Sequence, residues 1–495
     1  MDELKMHTIG PFARFFYKLY YAILSIPRLV WYGIKAAGRG IRGFVFSIGR
    51  GFANYGRMFV KGDILTKISF LIPGFGCITR KQIVKGLLFL LVSVLLLYFI
   101  FSFGWQYLKD LGTLGTNAGD EKIDPETGLI MYTLPDNSML ILLYSVMTLL
   151  VIIVFLALYY ASISSGFKAQ MLKQEGNPIP SFIEETKNLF NEKYHITLLS
   201  LPTAMSALFI ILPVIFMVLI AFTNFDRNHQ PPGNLFSWVG LENFSDVFGN
   251  NPSKSYTFRH LLQWTVIWAI VATITNYILG MLLAMLINKK GVRMKKLWRT
   301  IFVLTIAVPQ FVSLLLMRRL FDDQGTVNVI IKELGGNAVK FLSDATNARI
   351  MVIVINMWVG VPYSMLITSG ILMNIPADLY ESARIDGASP VKTFTKITLP
   401  YMLFVTGPYL ITQFVGNFNN FNVIYLLTQG EPGNVALYQA GDTDLLVTWL
   451  YKLTVNFQDY NLASVIGILV FVISAVLSLI VYNTSSSAKG EEEFQ

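Results

Sequence analysis

Long apolar runs recur along the chain, separated by polar segments, and most of them lack a polar face. Several exceed the ~20 residues a helix needs to cross a bilayer core. The pattern predicts eight spans, at about 84–103, 139–162, 199–222, 259–288, 299–320, 350–373, 401–427 and 461–483. A large soluble protein with buried helices does not explain runs that repeat and are apolar all round. The expected class is an all-α integral membrane protein. The stretch Phe70-Leu71-Ile72-Pro73-Gly74-Phe75-Gly76 is too short to span and is expected to dip into the interface.

Charge orients the spans. The chain is 54% hydrophobic and only 14% charged, with a formal net charge of +9. In a membrane protein, excess Lys and Arg marks cytoplasmic segments, not nucleic-acid binding. The densest basic cluster is Lys289-Lys290-Gly291-Val292-Arg293-Met294-Lys295-Lys296. Placing both termini in the cytoplasm puts that cluster inside, with the loops after the second, fourth and sixth spans. Residues 1–83 are basic and aromatic; Arg14, Lys18, Arg28, Lys35, Arg39, Arg42, Arg50 and Arg57 alternate with Phe, Tyr, Trp and Ile. Amphipathic helices on an anionic inner leaflet and a plain topological anchor fit this region equally well. Glycines at 38, 40, 43, 49 and 51 argue against one long helix there. Residues 84–198 then form two accessory spans with their loops, 199–483 a core transmembrane domain, and 484–495 a charged cytoplasmic tail. Met1 to His7 do not begin a cleavable signal peptide. A single cysteine, Cys77, leaves no intrachain disulfide and no cysteine-based metal site.

One polar insert stands out between two apolar runs, at 374–400. Pro376 suits a first helical turn, and Asp378 adds negative charge near the positive end of its dipole. Gly387 suits the left-handed position that closes a helix. Ser389 and Pro390 read as the cap and first residue of the next helix. The spacing is Glu381-Ser382-Ala383, three residues, Gly387, nine residues, Ile397, one residue, Leu399-Pro400. It resembles the "EAA" loop of bacterial ABC-importer permeases, with Ser382 where that motif has alanine. The resemblance implies a socket for a separate ATP-hydrolysing subunit, contacted around Glu381, Ser382, Ala383, Asp386, Gly387, Ile397, Leu399 and Pro400.

The chain has no Gly-x-x-x-x-Gly-Lys-Ser/Thr phosphate loop and no His-Glu-x-x-His motif. Its four histidines, His7, His195, His229 and His260, are scattered and read as solvated or interfacial. Almost no Asp, Glu, Lys or Arg lies inside the spans, which weakens a proton- or sodium-coupled transporter and implies an uncharged cargo. The seventh span instead carries five carboxamides, Gln413, Asn417, Asn419, Asn420 and Asn422. Gln413, Asn417 and Asn420 share one helical face, with Gly416 leaving space on it. Carboxamides offer both donors and acceptors, which suits sugar hydroxyls. The alternative is helix–helix glue, the preferred reading for Asn419 and Asn422. Asn356, Gly360 and Tyr363 share a face of the sixth span, and Pro309 with Gln310 marks a kink in the fifth.

Ile355-Asn356-Met357-Trp358-Val359-Gly360-Val361-Pro362-Tyr363, Phe418-Asn419-Asn420-Phe421 and Thr443-Asp444-Leu445-Leu446-Val447 are similar to the maltose/maltodextrin permease subunits of bacterial sugar importers. This resemblance implies an ABC-importer permease fold with eight spans in the cytoplasmic membrane. It places Asn356, Val359, Gly360, Tyr363, Asn417 and Asn420 at sugar-contacting positions. Ile306, Gln310, Gln413 and Gly416 fall at further such positions with different residue types, and Gly416 implies a roomier site. Also implied are a second homologous permease, two copies of an ABC ATPase holding ATP and Mg, an extracytoplasmic sugar-binding protein, and no cofactor bound by this chain. The reading is thus a non-catalytic permease for an oligosaccharide, maltose or maltodextrin foremost, or another sugar or glycoside. A membrane-embedded transferase or a secondary transporter is the rival; neither uses the Glu381–Pro400 pattern.

Overall fold

The computed structural model describes residues 38–40, 42–43, 46–47, 49–119, 121–123, 130–132, 134–289 and 291–484. Expectations for the basic residues up to 37 and for the tail beyond 484 lie outside the described residues. The chain divides into two compact units, with the boundary between residues 243 and 244. Both are helical; the described exception is a short antiparallel hairpin pairing Glu121–Ile123 with Ile130–Tyr132.

In the first unit, 49–61 is one helix that runs through Gly49 and Gly51, against the expected interruption. A mid-helix glycine costs only about 1 kcal/mol and so does not by itself end a helix. Three long helices follow, α1 (Ile83–Asp110), α2 (Ser138–Gln174) and α3 (Tyr194–Ile220), all apolar enough to cross a membrane. α2 continues well past the expected end of its span and carries Lys168 and Lys173 as helix, not loop. α3 begins earlier than expected and tolerates Pro202 inside it. A π-helical turn, Ala207–Ile211, absorbs the register change before Pro213.

The segment 63–82 folds tightly against α2. Gly74 N–H donates to Ser162 Oγ (2.7 Å) and the Tyr159 hydroxyl donates to Phe70 O (2.6 Å). Gly74 has φ +85°, and a Cβ there would meet Gly86 O at 2.1 Å. Arg80, 4% exposed, organises the rest. Its Nη2 donates to both Asp63 carboxylate oxygens (2.6 and 2.7 Å) and to Thr66 Oγ1 (2.9 Å), and its Nη1 to Gly76 O and Gly166 O. Burial pushes the Asp63 carboxyl up, but hydrogen bonds from Arg80 and Thr66 outweigh it and hold the carboxyl below its ordinary range. The stability this pair supplies is present at neutral pH and is lost as pH falls through that depressed value. Arg80→Met should cost about 2 kcal/mol and flatten this acid dependence. Thermal unfolding of the detergent-solubilised chain at neutral and acidic pH reads both effects.

The second unit is built on α4 (Pro252–Asn288). Asn251 caps it by accepting from Lys254 N–H, and Pro252 takes the first position. Its buried residues Leu261, Trp264, Thr265, Trp268, Ala272, Asn276, Tyr277, Gly280, Met281 and Ala284 recur at three- and four-residue spacing, so one stripe meets the rest of the unit. Next come α5 (Lys295–Ala307) and α6 (Gln310–Leu320), which meet at 87°. Proline drives the preceding residue out of the helical region, and Val308 is extended (φ −76°, ψ 125°). The fifth expected span is therefore a bent pair. α7 (Ala345–Leu372) is capped by Asp344 and packs along α4. α8 (Ala377–Ile385) opens the polar insert.

The seventh expected span, 401–427, is not one helix. It is α9 (Leu399–Val405), α10 (Gly407–Phe418) and α11 (Phe421–Leu427), broken at Thr406 and at Asn419-Asn420. Proline at 408 cannot donate to the preceding turn, and the asparagines bond their own backbone instead of continuing the helix. α12 (Leu446–Tyr451) and α13 (Tyr460–Thr484) complete the unit. Among the described residues, six helices are long and apolar enough to span, or seven with the bent pair as one. The main core joins Trp264, Trp268 and Ala272 of α4 to Leu314, Val352, Ile355, Val423, Ile424, Leu427 and Leu445. A second cluster joins Tyr277 and Met281 to Ile375 and Met402, beneath the polar insert.

Candidate functional site

A break inside an apolar segment exposes backbone groups that must be satisfied within the protein. The carboxamides do this work around the α10–α11 break. The Trp268 indole N–H donates to Asn417 O (3.0 Å), taking a carbonyl at the end of α10. Asn420 Oδ1 accepts from Val423 N–H (3.1 Å) and so caps α11. Asn417, buried, donates Nδ2 to Thr273 Oγ1 on α4 (2.9 Å). Asn419 donates to Val415 O (3.1 Å) and to Ser474 Oγ on α13 (3.3 Å), the glue role expected of it. Asn422 donates to Gln310 Oε1 (3.3 Å), which ties the start of α6 to α11. Gln413 is half-buried; Gly416 is exposed, and a Cβ there would meet only open space.

On α7 the expected face changes from buried to open along its length. Asn356 is buried, Val359 and Gly360 are half-buried, and Tyr363 is 46% exposed. The Tyr363 ring lies 6.3 Å from that of Tyr409 on α10, and the Tyr409 and Ser364 hydroxyls are 3.0 Å apart. Ile306 and Gln310 flank the 87° bend, Ile306 exposed and Gln310 half-buried. The fold thus joins Gln310 to α11 and Tyr363 to α10, and it assigns Asn417 an interhelical bond. None of the ten residues carries charge, so these positions suit neutral polar groups.

The polar insert has the expected grammar. Pro376 is the cap of α8 and Ala377 its first residue. Gly387 has φ +69°. Ala388 N–H donates to Ala383 O (2.9 Å) and Gly387 N–H to Arg384 O (3.2 Å), closing the helix. Ser389 Oγ then caps the following turn by accepting from Lys392 N–H (3.3 Å), with Pro390 first. The motif residues divide by role. Ala383 is buried, and Ile397 and Leu399 are half-buried; Leu399 and Tyr380 pack on the cluster around Ile375 and Met402. The Tyr380 and Thr398 hydroxyls are 3.1 Å apart. Glu381, Ser382, Asp386, Gly387 and Pro400 face outward. Ile385 (86% exposed) and Val391 (72%) stand on either side of Gly387. The sequence reading missed this apolar pair, although two bulky apolar residues in a polar loop are a visible sign of a docking surface.

Residues 276–488 match the family described as "Binding-protein-dependent transport system inner membrane component". The galactooligosaccharides transport system permease protein GanP of Bacillus subtilis is 37% identical over 82% of this chain and 94% of its own length. The maltodextrin transport system permease protein MdxF of the same organism is 34% identical over 85% of this chain and 95% of its own. The chain belongs to the ABC-importer permeases. A crystal structure of a bacterial ABC transporter involved in the import of the acidic polysaccharide alginate shares the fold (TM-score 0.50, 22% identity, 60% of this chain and 96% of that one). The permease is therefore a transport component of the bacterial cytoplasmic membrane.

Sequence reading of this permease also passed over α4. Trp268, Thr273, Asn276 and Tyr277 of that helix all touch the site or its supports: Tyr277 and Thr406 share a hydroxyl contact of 2.7 Å, and Asn276 lies against Gly360. Their signal was present as polar and indole groups at helical spacing inside one apolar run, Trp268 eight residues before Asn276 and Thr273 four before Tyr277.

Proposed function

We propose that this permease carries a neutral oligosaccharide and forms half of its membrane pathway. A second homologous permease completes the pathway, two ABC ATPase copies bind ATP and Mg, and an extracytoplasmic binding protein delivers the sugar. This chain binds no cofactor and forms no covalent bond with cargo. Both termini face the cytoplasm, 199–483 is the core of the permease, and α8 with Gly387 receives one ATPase. The observation that supports the reading is a set of uncharged polar residues, Asn356 and Tyr363 on α7 and Gln310, Gln413 and Asn420 at or near the α5–α6 and α10–α11 breaks, with open space at Gly416. Maltodextrin is the first cargo, supported by the motifs around Asn356 and Asn420. Galactooligosaccharide is the second reading, supported by the 37% identical relative.

ATP hydrolysis by the reconstituted complex, measured with the cognate binding protein against a panel of sugars, tests this. Stimulation by maltodextrins or galactooligosaccharides is expected; stimulation only by a charged or non-sugar cargo refutes the sugar reading. Asn420→Ala lowers the stimulation but also removes the α11 cap, a loss of about 1 kcal/mol. Asn420→Ser separates the two roles, since serine caps as well and lacks the amide donors. An equal loss of stimulation in the serine variant, roughly tenfold or about 1.4 kcal/mol, assigns the effect to cargo. Full activity there leaves Asn420 a cap alone.

A further inference from the structure

α4 and α7 approach each other at two points one turn apart. A Cβ on Gly280 would lie 2.5 Å from Ser364 Cβ and 2.8 Å from Met365 N. A Cβ on Gly360 would lie 2.1 Å from Asn276 Nδ2, 2.4 Å from its Cγ and 2.8 Å from its Oδ1. The missing side chain at Gly360 is therefore what admits the Asn276 amide. Asn356 sits one turn before Gly360 on the same face of α7, within the reach of an i,i+4 neighbour.

Asn276 is 6% exposed and Asn356 4%. Asn276 Oδ1 and Asn356 Nδ2 are both buried without a hydrogen-bond partner. One is an acceptor and the other a donor, so each is the complement of the other. A buried polar atom without a partner is costly, and a native fold that keeps one has a reason to do so. Nearby polar atoms are already engaged: Asn417 Nδ2 on Thr273 Oγ1, and Ser364 Oγ with the Tyr409 hydroxyl.

We propose that Asn276 is a positioning residue of the transport cycle: its Oδ1 is the acceptor for Asn356 Nδ2 in a state other than this one. The bond is open here and closes when α7 shifts against α4. In this state Asn356 Nδ2 is buried as well as unpaired, so the shift of α7 that closes the bond is also the movement that sets how the amide is presented to a cargo hydroxyl. The cargo half of this statement rests on the function proposed above; the pairing does not. Both groups are uncharged, so the switch moves no ion across the membrane.

Two near-isosteric variants, Asn276→Leu and Asn356→Leu, test the pairing in the full complex. Leucine replaces an amide that is unsatisfied in this state, so the thermal midpoint of the resting complex in detergent is expected to hold or rise in each. Transport turnover is expected to fall about tenfold in each. The double variant is expected to transport no less than Asn356→Leu alone, because the same bond is lost twice. A fall in midpoint in the single variants overturns the proposal, since the amides would then already be structural glue. Losses that multiply to about a hundredfold overturn it as well. If no oligosaccharide drives the wild-type complex, the cargo reading fails and the midpoint still decides the pairing. Gly360→Ala supplies an independent check on placement. Its Cβ displaces the Asn276 amide and lowers the midpoint, and adding Asn276→Ala restores the midpoint without restoring transport. If Asn276→Ala fails to restore the midpoint, Asn276 does not occupy that space and the proposal falls.

Discussion

Gly387→Val is expected to abolish cargo-stimulated ATP hydrolysis by the proposed importer complex while the chain still inserts in the membrane. The reason is backbone, not bulk. Gly387 has φ +69°, and a Cβ there meets nothing within 4 Å. A β-branched residue is excluded from the left-handed region, at a cost above the ~1–2 kcal/mol typical of ordinary residues. The cheaper outcome is to unwind the end of α8, where Gly387 N–H and Ala388 N–H hold Arg384 O and Ala383 O. That unwinding moves Ile385 and Val391, the exposed apolar pair on either side, and with them the proposed ATPase contact. Gly387→Asn is the control. Asparagine tolerates the left-handed region and the space is open, so this variant should retain most of the stimulation. Measuring both in proteoliposomes separates the backbone requirement from a need for glycine as such; equal activity of the valine variant and the wild type would remove the coupling role from this turn.

Removing Asp444 has the second large effect, and it acts on stability. Asp444 is fully buried, with Lys452 Nζ donating to its Oδ2 at 2.6 Å. Gly441 N–H (2.8 Å) and the Thr448 hydroxyl (2.9 Å) also donate to its carboxylate. The neighbouring turn is shaped around it: a Cβ on Gly430 would lie 2.0 Å from Asp444 Oδ1. Thr428, Thr443 and Glu431 O form the adjoining chain of hydrogen bonds, and Trp264 of α4 donates to Thr443 O. Asp444→Ala strands the Lys452 ammonium and the Gly441 N–H in a largely buried setting, while the Thr448 hydroxyl keeps Leu445 O at 3.1 Å. Such a loss is expected to cost about 3–5 kcal/mol. The double change Asp444→Met with Lys452→Met removes both charges and should be less harmful than Asp444→Ala alone. Thermal unfolding of the three variants in detergent gives the comparison; a double variant less stable than the single would mean that the pair matters for more than its charges.

The physics also explains what could be read from the sequence. Spans with a uniform apolar surface were legible, because lipid demands only length and hydropathy; α1 to α4, α7 and α13 all fall where those demands placed them. The turn at Gly387 was legible because a left-handed residue, a serine cap and a proline are local requirements. Pro309 marked a kink, but the 87° angle depends on the packing of α5 against α7 and of α6 against α11, which no single residue encodes. The seventh run was the hardest. Hydropathy averages over 401–427 and sees one segment, whereas Asn417, Asn419, Asn420 and Asn422 each choose a backbone or side-chain partner and break it. Their partners Trp268, Thr273, Gln310 and Ser474 lie from 55 to 149 residues away in the chain, and only the fold brings them close. Asn276 was invisible for a similar reason: its place is set by an absent side chain at Gly360.

Uptake of labelled maltodextrin and galactooligosaccharide into proteoliposomes is the most direct test of the central claim. The vesicles hold the complete complex, with ATP at the cytoplasmic face and the binding protein with sugar at the other. Accumulation of one of these sugars that requires both ATP and the binding protein is expected, slowed by Asn420→Ser and stopped by Gly387→Val. Accumulation of neither, or uptake that proceeds without ATP, would contradict the reading of this chain as half of an ATP-driven oligosaccharide pathway.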